Sequence, residues 1–283
     1  MSLNTRLPQV GNKMDRASTL LICFLLLILP GRLPHSPTHA APHGAATRLR
    51  VMTYNVHVGI GIDKRNDLAR IAEVIRRERP DLVGLQEIDR GVERTRRVDQ
   101  MAELARLTGM EYAFAHNLDY QGGQYGVAVL SRLPIRAVDH RRFRHLREAE
   151  RRGLLRVEVS AGGQMINFVT THLDYQNHDN RLYETRQLSD ALRDIHAPLV
   201  VVGDFNDEPA GDSYKFMLGR FADAWVSASA PGDGLTYPAD KPAKRIDYVF
   251  YRPGPFRARR AWTAQTQASD HLPLVVDLEL SPR

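Results

Sequence analysis

The sequence predicts an α+β domain in which two mixed β-sheets pack face to face, with helices on their outer faces. Short apolar segments of the kind that form strands recur along the chain, and segments with helical periodicity separate some of them. In the middle of the chain several strands follow one another without a helix, unlike the strict alternation of a doubly wound parallel sheet. The chain has 283 residues, of which 43% are hydrophobic, so it can bury a sizeable core.

The N-terminal segment has the pattern of a secretory signal. Basic residues precede an apolar run over 19–29, and small residues follow it near position 40. Because this run is about half as long as the roughly 20 residues that span a bilayer, a cleaved signal peptide over 1–40 is favoured over an uncleaved membrane anchor. The signal predicts an exported protein, either periplasmic or secreted. Residues 41–47 are predicted to form a linker, and residues 48–283 the folded domain.

Cysteine content and charge limit the classes of protein to consider. Cys23 is the only cysteine and lies inside the apolar run, so the mature chain cannot form a disulfide. The formal net charge of +6 falls to about +3 without the first 40 residues, which hold four basic side chains and one acidic side chain. A mild positive balance suits an anionic substrate, whereas a dedicated nucleic-acid binder would carry a concentrated basic face.

The first third of the domain alternates between strand and helix patterns. The segment 49–56 is rich in β-forming side chains and predicts a strand that ends at Asn55. A helix follows, with Asn66 as a plausible N-cap. The apolar segment 81–87 predicts a buried strand that stops at two polar residues, and a second helix is predicted near 99–107.

The rest of the chain is richer in strands. Strands are predicted at 126–131, 135–143, 154–159, 165–171, 198–203, 245–250, 256–264 and 274–280, and helices at 181–195 and 213–218. Gly162-Gly163 lies between two of these strands and indicates a hairpin. No repeat and no long internal linker interrupts this part of the chain.

Polar side chains that suit a metal or a phosphate stand where the predicted strands end. These side chains are Asn55, Glu87, His172, Asp204, Asn206, Asp270 and His271, and Asp247 lies just inside the start of its strand. Strand ends that meet at one edge of a sandwich form a rigid platform for a site. We therefore expect these side chains to converge.

The oxygen-bearing members of this set predict a magnesium site. Glu87, Asp270 and the amide oxygen of Asn55 are hard ligands that suit Mg²⁺, with Mn²⁺ as the alternative. Structural zinc is not expected, because the mature chain lacks cysteine and has no His-Glu-x-x-His spacing.

The remaining members suit proton transfer and phosphate binding. His271 can act as a general base or donate to a phosphate, with Asp247 orienting its ring. His172 and Asn206 can donate to phosphate oxygens, and Asp204 can orient or deprotonate the attacking water. Because the chain has no nucleotide-binding glycine loop and no serine nucleophile elbow, direct attack by water is predicted rather than a covalent intermediate.

Each of these residues also has a structural interpretation. Asn55 and Asp204 can belong to turns, Glu87 can be a solvated strand end, and Asp247 can pair with Arg245 or Lys244. The Ser-Asp-His-Leu-Pro segment at 269–273 can be a capped entry to an edge strand. The functional interpretation is favoured because all of the motifs occur together and in order.

These motifs resemble those of the endonuclease/exonuclease/phosphatase superfamily over residues 49 to 280. The motifs that carry the resemblance are Thr53-Tyr54-Asn55, Gln86-Glu87, Gly126-Val127-Ala128-Val129-Leu130-Ser131, Thr171-His172-Leu173-Asp174, Gly203-Asp204-Phe205-Asn206, Arg245-Ile246-Asp247-Tyr248 and Ser269-Asp270-His271. The resemblance implies a four-layer αββα sandwich and Mg²⁺-dependent phosphoester hydrolysis. It also implies that Glu87, with Asn55 nearby, forms the metal site, and that Asp247 and His271 form an acid–imidazole pair.

His172 narrows the resemblance to one branch of the superfamily. Abasic-site repair endonucleases tend to have tyrosine at this position. A histidine is more similar to the branch that holds pancreatic-type deoxyribonucleases, sphingomyelinases and phosphoinositide phosphatases. The secretion signal is consistent with that branch rather than with DNA repair.

The sequence therefore predicts an exported Mg²⁺-dependent phosphodiesterase or phosphatase that works as a monomer without a stable protein partner. Its substrate could be a nucleic acid, a phospholipid or an inositol phosphate. The alternatives are a secreted nuclease in particular, or a catalytically silent binding or scaffold protein that retains the fold. Six arginines between 141 and 152 are interpreted as a solvated segment, with contact to an anionic substrate as the functional alternative.

Overall fold

Apolar, β-forming segments build twelve strands within residues 46–282, the part of the chain that this computed structural model describes. The predicted signal peptide over 1–40 lies outside the described residues, as does most of the predicted linker. The first strand already begins at Thr47, the last residue of that linker. No helix within the described residues is long and apolar enough to cross a membrane.

Most of the strands and helices lie where the sequence pattern predicts them, but the strands at Glu111–Tyr120 and Ala222–Asp223 and the helix at Ala224–Ser227 were not predicted. In chain order the strands are β1 (Thr47–Asn55), β2 (Leu82–Arg90), β3 (Glu111–Tyr120), β4 (Gly123–Ser131), β5 (Ile135–Arg142), β6 (Gly153–Ala161), β7 (Gln164–His172), β8 (Leu199–Asp204), β9 (Ala222–Asp223), β10 (Asp247–Tyr251), β11 (Phe256–Thr263) and β12 (Leu274–Leu280). The helices are α1 (Leu68–Glu78), α2 (Gln100–Thr108), α3 (His178–Ala191), α4 (Asp212–Leu218) and α5 (Ala224–Ser227).

The strands form two six-stranded sheets, and both sheets are mixed. Their strand orders are β11-β12-β1-β2-β4-β3 and β5-β6-β7-β8-β10-β9. In the first sheet β1 and β2 run parallel, and in the second β7 and β8 run parallel. A parallel pair needs a crossover connection, and α1 and α3 supply the two crossovers. The predicted α+β fold with two mixed sheets is confirmed.

Three apolar cores hold the layers together. One core lies between the sheets and includes Val51 of β1 and Val202 of β8. A second packs the outer face of the first sheet against α1 and α2, and a third packs the second sheet against α3 and α4. The layers therefore follow the order helix, sheet, sheet, helix.

The sheets approach closely beside the ends of the parallel strands. A Cβ atom at Gly84 of β2 would lie only 2.3 Å from Cγ2 of Val202, so a larger residue would push the sheets apart. Nearby, Nε2 of Gln86 donates to Oγ1 of Thr170 at 2.9 Å and ties β2 to β7. This contact places the carboxyl ends of the two parallel pairs side by side.

Some boundaries differ from those predicted. The strand expected to stop at Glu87 continues to Arg90 as β2, with a bulge between Leu85 and Ile88. Asp67, rather than Asn66, caps α1 by accepting from the Ala69 amide.

The helix predicted over 181–195 also differs in its bounds. The structure places it at His178–Ala191, because the side chain of Asn177 caps an earlier first turn. The hairpin predicted at Gly162-Gly163 is present between β6 and β7.

Candidate active site

Six of the eight predicted side chains line one cavity of about 880 Å³. The six are Glu87, His172, Asp204, Asn206, Asp270 and His271. The other two, Asn55 and Asp247, are buried behind them and hydrogen-bond to members of the six. Asn55, His172 and Asp204 are the last residues of β1, β7 and β8, so the predicted convergence of strand ends is observed.

Asn55 joins the two sheets beneath the cavity. Its Nδ2 lies 3.0 Å from Oε1 of Glu87 and 3.0 Å from Oδ2 of Asp204, and donates to both carboxylates. Its Oδ1 accepts from the backbone N–H of His57 at 3.0 Å. The oxygen that the sequence assigned to a metal accepts one hydrogen bond here and keeps its second lone pair, while the nitrogen of the same amide holds two acids near each other.

The β2 bulge directs Glu87 toward the cavity. Bulges re-aim a side chain at the cost of regular pairing, and they are common beside active sites. Glu87 also has a left-handed backbone, with φ of 59°, which costs about 1–3 kcal/mol for a residue with a side chain. The strained backbone therefore presents the Glu87 carboxylate where an unbroken strand would not.

Ser269 anchors the 269–271 loop to the end of β1. Oγ of Ser269 donates to the carbonyl oxygen of Asn55 at 2.7 Å and accepts from the His271 amide at 3.2 Å. Asp270 is half-buried, with Oδ1 at 3.6 Å from Nδ1 of His57. The loop thus holds an acid and an imidazole at fixed positions on the cavity wall.

His271 and Asp247 form the predicted acid–imidazole pair. Nδ1 of His271 lies 2.9 Å from Oδ2 of Asp247, which accepts its proton in a hydrogen bond, and both side chains are buried. Nε2 of His271 lies 3.7 Å from Oδ2 of Asp204. The alternative pairing of Asp247 with Arg245 is not observed, because Arg245 binds Asp223.

His172 lies between a cation and an anion. Nη1 of Arg152 is 2.9 Å from its Nδ1, and Oδ2 of Asp204 is 3.5 Å from its Nε2. Nδ2 of Asn206 is 3.1 Å from the same Nε2 and also donates to the Leu173 carbonyl at 3.0 Å. The two histidines of the cavity therefore have opposite surroundings, one held by a carboxylate and the other by a guanidinium.

These surroundings shift the pKa values in opposite directions. Burial, Arg152 and His271 keep the pKa of His172 well below its usual value, so this ring is neutral. Burial also lowers the pKa of His271, but the carboxylates of Asp247 and Asp204 outweigh burial and raise it. Burial and Asp247 raise the pKa of Asp204 above its ordinary range. The site thus combines a neutral imidazole, a proton-retaining imidazole and a carboxylate with increased proton affinity.

The carboxylates of the cavity fit a divalent cation with oxygen ligands. Glu87 and Asp270 line the cavity, and within residues 46–282 no lysine or arginine pairs with either carboxylate. Asp204, Asp247 and His271 also place ligand atoms within 4.8 Å of one another. In that second group, however, the hydrogen bond between Asp247 and His271 already uses one ligand atom of each residue.

Sequence reasoning missed Arg152 and Tyr237. Arg152 belongs to the arginine-rich segment that was interpreted as solvated, but it is only 3% exposed and lines the cavity. Its Nη1 also pairs with Oε1 of Glu150 at 3.0 Å. The ring of Tyr237 lies 4.8 Å from that of His271, and no motif marked it. Only the position of Arg152 directly before the strand Gly153–Ala161, which pairs with the strand of His172, could have suggested its role.

Comparison with known proteins places the chain among relatives by sequence and by fold. The model of the endonuclease/exonuclease/phosphatase family matches residues 52–271, which is most of the chain. The chain is 26% identical over 245 residues to YbhP of Escherichia coli K12, a protein described as uncharacterized, and the match covers 82% of this chain and 96% of YbhP.

Solved structures share the fold. An endonuclease/exonuclease/phosphatase from Beutenbergia cavernae is 28% identical with a TM-score of 0.71, covering 83% of this chain and 72% of that one. A mannosyl-6-phosphatase from Bacteroides thetaiotaomicron superimposes with a TM-score of 0.69 at 18% identity, covering 81% of this chain and 99% of that one.

Proposed function

Since the chain belongs to the endonuclease/exonuclease/phosphatase family, we propose that it is an exported phosphoester hydrolase that depends on a divalent metal ion. The observation that carries the proposal is the assembly of all eight polar side chains into one connected site at one cavity. Each side chain alone could have a structural role. Together they offer a metal position, a base and several donors for a phosphate group.

Glu87 and Asp270 are the groups that would hold the metal ion. A bound Mg²⁺ or Mn²⁺ would supply positive charge to stabilise the phosphoryl group in the transition state. Asn55 contributes by donating to the Glu87 carboxylate and keeping it beside Asp204. This arrangement fixes one carboxylate oxygen of Glu87 and leaves the other for a ligand.

Asp204 is the group placed to orient and deprotonate the attacking water. Burial raises its pKa, which makes it a better base than an exposed carboxylate. His271, which retains its proton beside Asp247, donates from Nε2 to a phosphoryl oxygen as negative charge develops there. Asn206 and His172 supply further donors near Asp204.

Attack by water is favoured over a covalent intermediate. The described residues that line the cavity include no serine, threonine or cysteine that could act as the nucleophile. A catalytically silent scaffold is disfavoured, because a protein released from catalysis has no reason to retain a strained Glu87 and a buried charged pair.

The substrate classes expected from the sequence remain nucleic acids, phospholipids and inositol phosphates. The structural similarity to a mannosyl-6-phosphatase adds phosphorylated sugars to the substrates to be tested. A panel of plasmid DNA, RNA, sphingomyelin, phosphatidylinositol phosphates and mannose 6-phosphate would identify the class and separate diesterase from monoesterase activity. A metal-binding protein that hydrolyses none of them would support the silent alternative.

We expect hydrolysis to require a divalent metal ion. Bis(p-nitrophenyl) phosphate offers a single phosphodiester without other recognition groups, so it tests the reacting centre alone. Cleavage should stop in excess EDTA and return when Mg²⁺ or Mn²⁺ is restored, because within residues 46–282 no lysine or arginine pairs with Glu87 or Asp270 to replace the charge of the metal ion. Binding of Mn²⁺, followed by electron paramagnetic resonance, provides a readout independent of turnover. Undiminished cleavage in EDTA would contradict the metal-dependent mechanism.

Export is the second expectation of the proposal. The basic and apolar order of residues 1–29, followed by small residues, is that of a cleavable signal. N-terminal sequencing of the exported protein should therefore begin near Ala41. A chain that keeps Met1 and remains with the membrane would instead support an uncleaved anchor.

A further inference from the structure

Arg152 is a buried cation that lines the cavity, and none of the roles proposed above uses it. It is only 3% exposed, and its Nη1 contacts both Oε1 of Glu150 at 3.0 Å and Nδ1 of His172 at 2.9 Å. Burying a guanidinium beside a neutral ring is unfavourable unless the hydrogen bonds it makes are retained. The two contacts of Arg152 therefore indicate that its role is to hold the His172 ring.

A guanidinium can donate hydrogen bonds but cannot accept them. Nδ1 of His172 must therefore present a lone pair to Arg152, which requires the proton of the neutral ring to be on Nε2. The opposite side of the ring agrees with this assignment. Nε2 lies 3.5 Å from Oδ2 of Asp204, and the negative charge of this carboxylate favours an N–H on that side of the ring. The N–H dipole of the ring thus points from the cation toward the anion.

One contact competes with this arrangement. Nδ2 of Asn206 lies 3.1 Å from Nε2 of His172, and it would donate to that nitrogen if the ring carried its proton on Nδ1. A neutral ring can accept from only one of the two donors. The Arg152 bond is charge-assisted and buried, whereas Nδ2 of Asn206 already donates to the Leu173 carbonyl at 3.0 Å. The guanidinium is therefore the stronger partner.

We propose that Arg152 is a positioning residue that holds His172 in the tautomer with its proton on Nε2, so that this nitrogen donates to the phosphoryl oxygen of the substrate. Glu150 in turn holds Arg152. In the other tautomer, Nε2 of His172 would present a lone pair to an anionic oxygen and repel it. The catalytic consequence rests on the proposed phosphoester hydrolysis, whereas the tautomer itself does not.

The tautomer can be measured directly. Long-range ¹H–¹⁵N correlation spectra of the protein labelled with ¹⁵N-histidine distinguish the two neutral forms, and His172→Gln assigns the signals. We expect the wild-type His172 to carry its proton on Nε2 and Arg152→Met to shift it toward Nδ1, where Asn206 can donate to Nε2. Arg152→Lys retains a donor that cannot accept, so it should keep the wild-type tautomer.

Activity provides the second readout. Losing a charge-assisted hydrogen bond should lower kcat of Arg152→Met by about 10- to 100-fold, with little change in KM, and Arg152→Lys should recover part of that loss. Arg156→Met is the matched control. Arg156 also pairs with carboxylates, those of Asp139 and Glu158, but it does not line the cavity.

The single variant could unfold, because it leaves the Glu150 carboxylate without its partner. The double variant Glu150→Gln with Arg152→Met removes both charges and keeps the test usable. A wild-type His172 with its proton on Nδ1, or an unchanged tautomer in the folded methionine variants, would overturn the proposal. A rise in KM without any change of tautomer would also overturn it, since it would assign Arg152 to direct substrate binding. If the protein hydrolyses no phosphoester, the spectra still decide the tautomer.

Discussion

Replacing His271 by alanine should lower kcat by about 10³-fold while the protein remains folded. The imidazole is held by Asp247 at 2.9 Å and lines the cavity, so the alanine variant loses the donor that this pair keeps in a fixed position. His172 cannot take over, because its pKa is depressed and its ring is bound to Arg152. The measurement is steady-state hydrolysis of bis(p-nitrophenyl) phosphate at saturating Mg²⁺.

A variant of Asp247, the hydrogen-bond partner of His271, tests the same pair with a smaller expected effect. Asp247→Asn retains the shape of the side chain but removes the charge that raises the pKa of His271, so its effect should be large but smaller than that of the alanine variant. His178 is an exposed histidine on α3, outside the cavity, and His178→Ala should keep the wild-type rate. A His271→Ala enzyme within tenfold of wild type would remove His271 from the mechanism.

The architecture was predictable because apolar periodicity and strand ends carry strong local signals. The Val-rich run that ends at Asp204 is typical of a central strand that is buried on both faces, and the acid marks the end of that strand. In contrast, β3 was missed because its inward positions include Ala113 and Ala115. Alanine has little β-propensity, and these small side chains are chosen by the packing of the sheets, which a local pattern does not record.

Six of the eight residues predicted for the site line one cavity, but the sequence did not reveal all of their contacts. Strand ends indicated that Glu87 would face a cavity, but they did not reveal the bulge or the left-handed backbone that turns it there. The sequence did not distinguish Arg152 from the exposed arginines beside it. Its burial depends on contacts with β7, which is distant in sequence, and not on the neighbouring residues. The Asn55 amide illustrates the same limit, because only its three-dimensional neighbours show that it donates to two acids.

The segment after the Val-rich strand contains two acids, Asp204 and Asp207, and the sequence alone does not show which of them takes part in the proposed reaction. Asp204 is buried, accepts from Asn55 at 3.0 Å and lies within 4 Å of both cavity histidines. Asp207 also lines the cavity, but its Oδ2 accepts from the Ser213 amide at the start of α4. These contacts favour the first acid as the one that takes part in the proposed reaction, whereas the second stabilises the loop and the helix that follow.

We accordingly expect Asp204→Asn to lower kcat by about 10³-fold and Asp207→Asn to stay within a few-fold of wild type. The asparagine at 204 removes a base without leaving a cavity, and it removes a charge that burial disfavours. Its free energy of unfolding in urea should thus lie within about 1 kcal/mol of the wild-type value. A comparable loss of rate in both variants would show that the loop, rather than the Asp204 carboxylate, limits activity. Full activity of Asp204→Asn would show that another group accepts the water proton, and it would exclude Asp204 as the base.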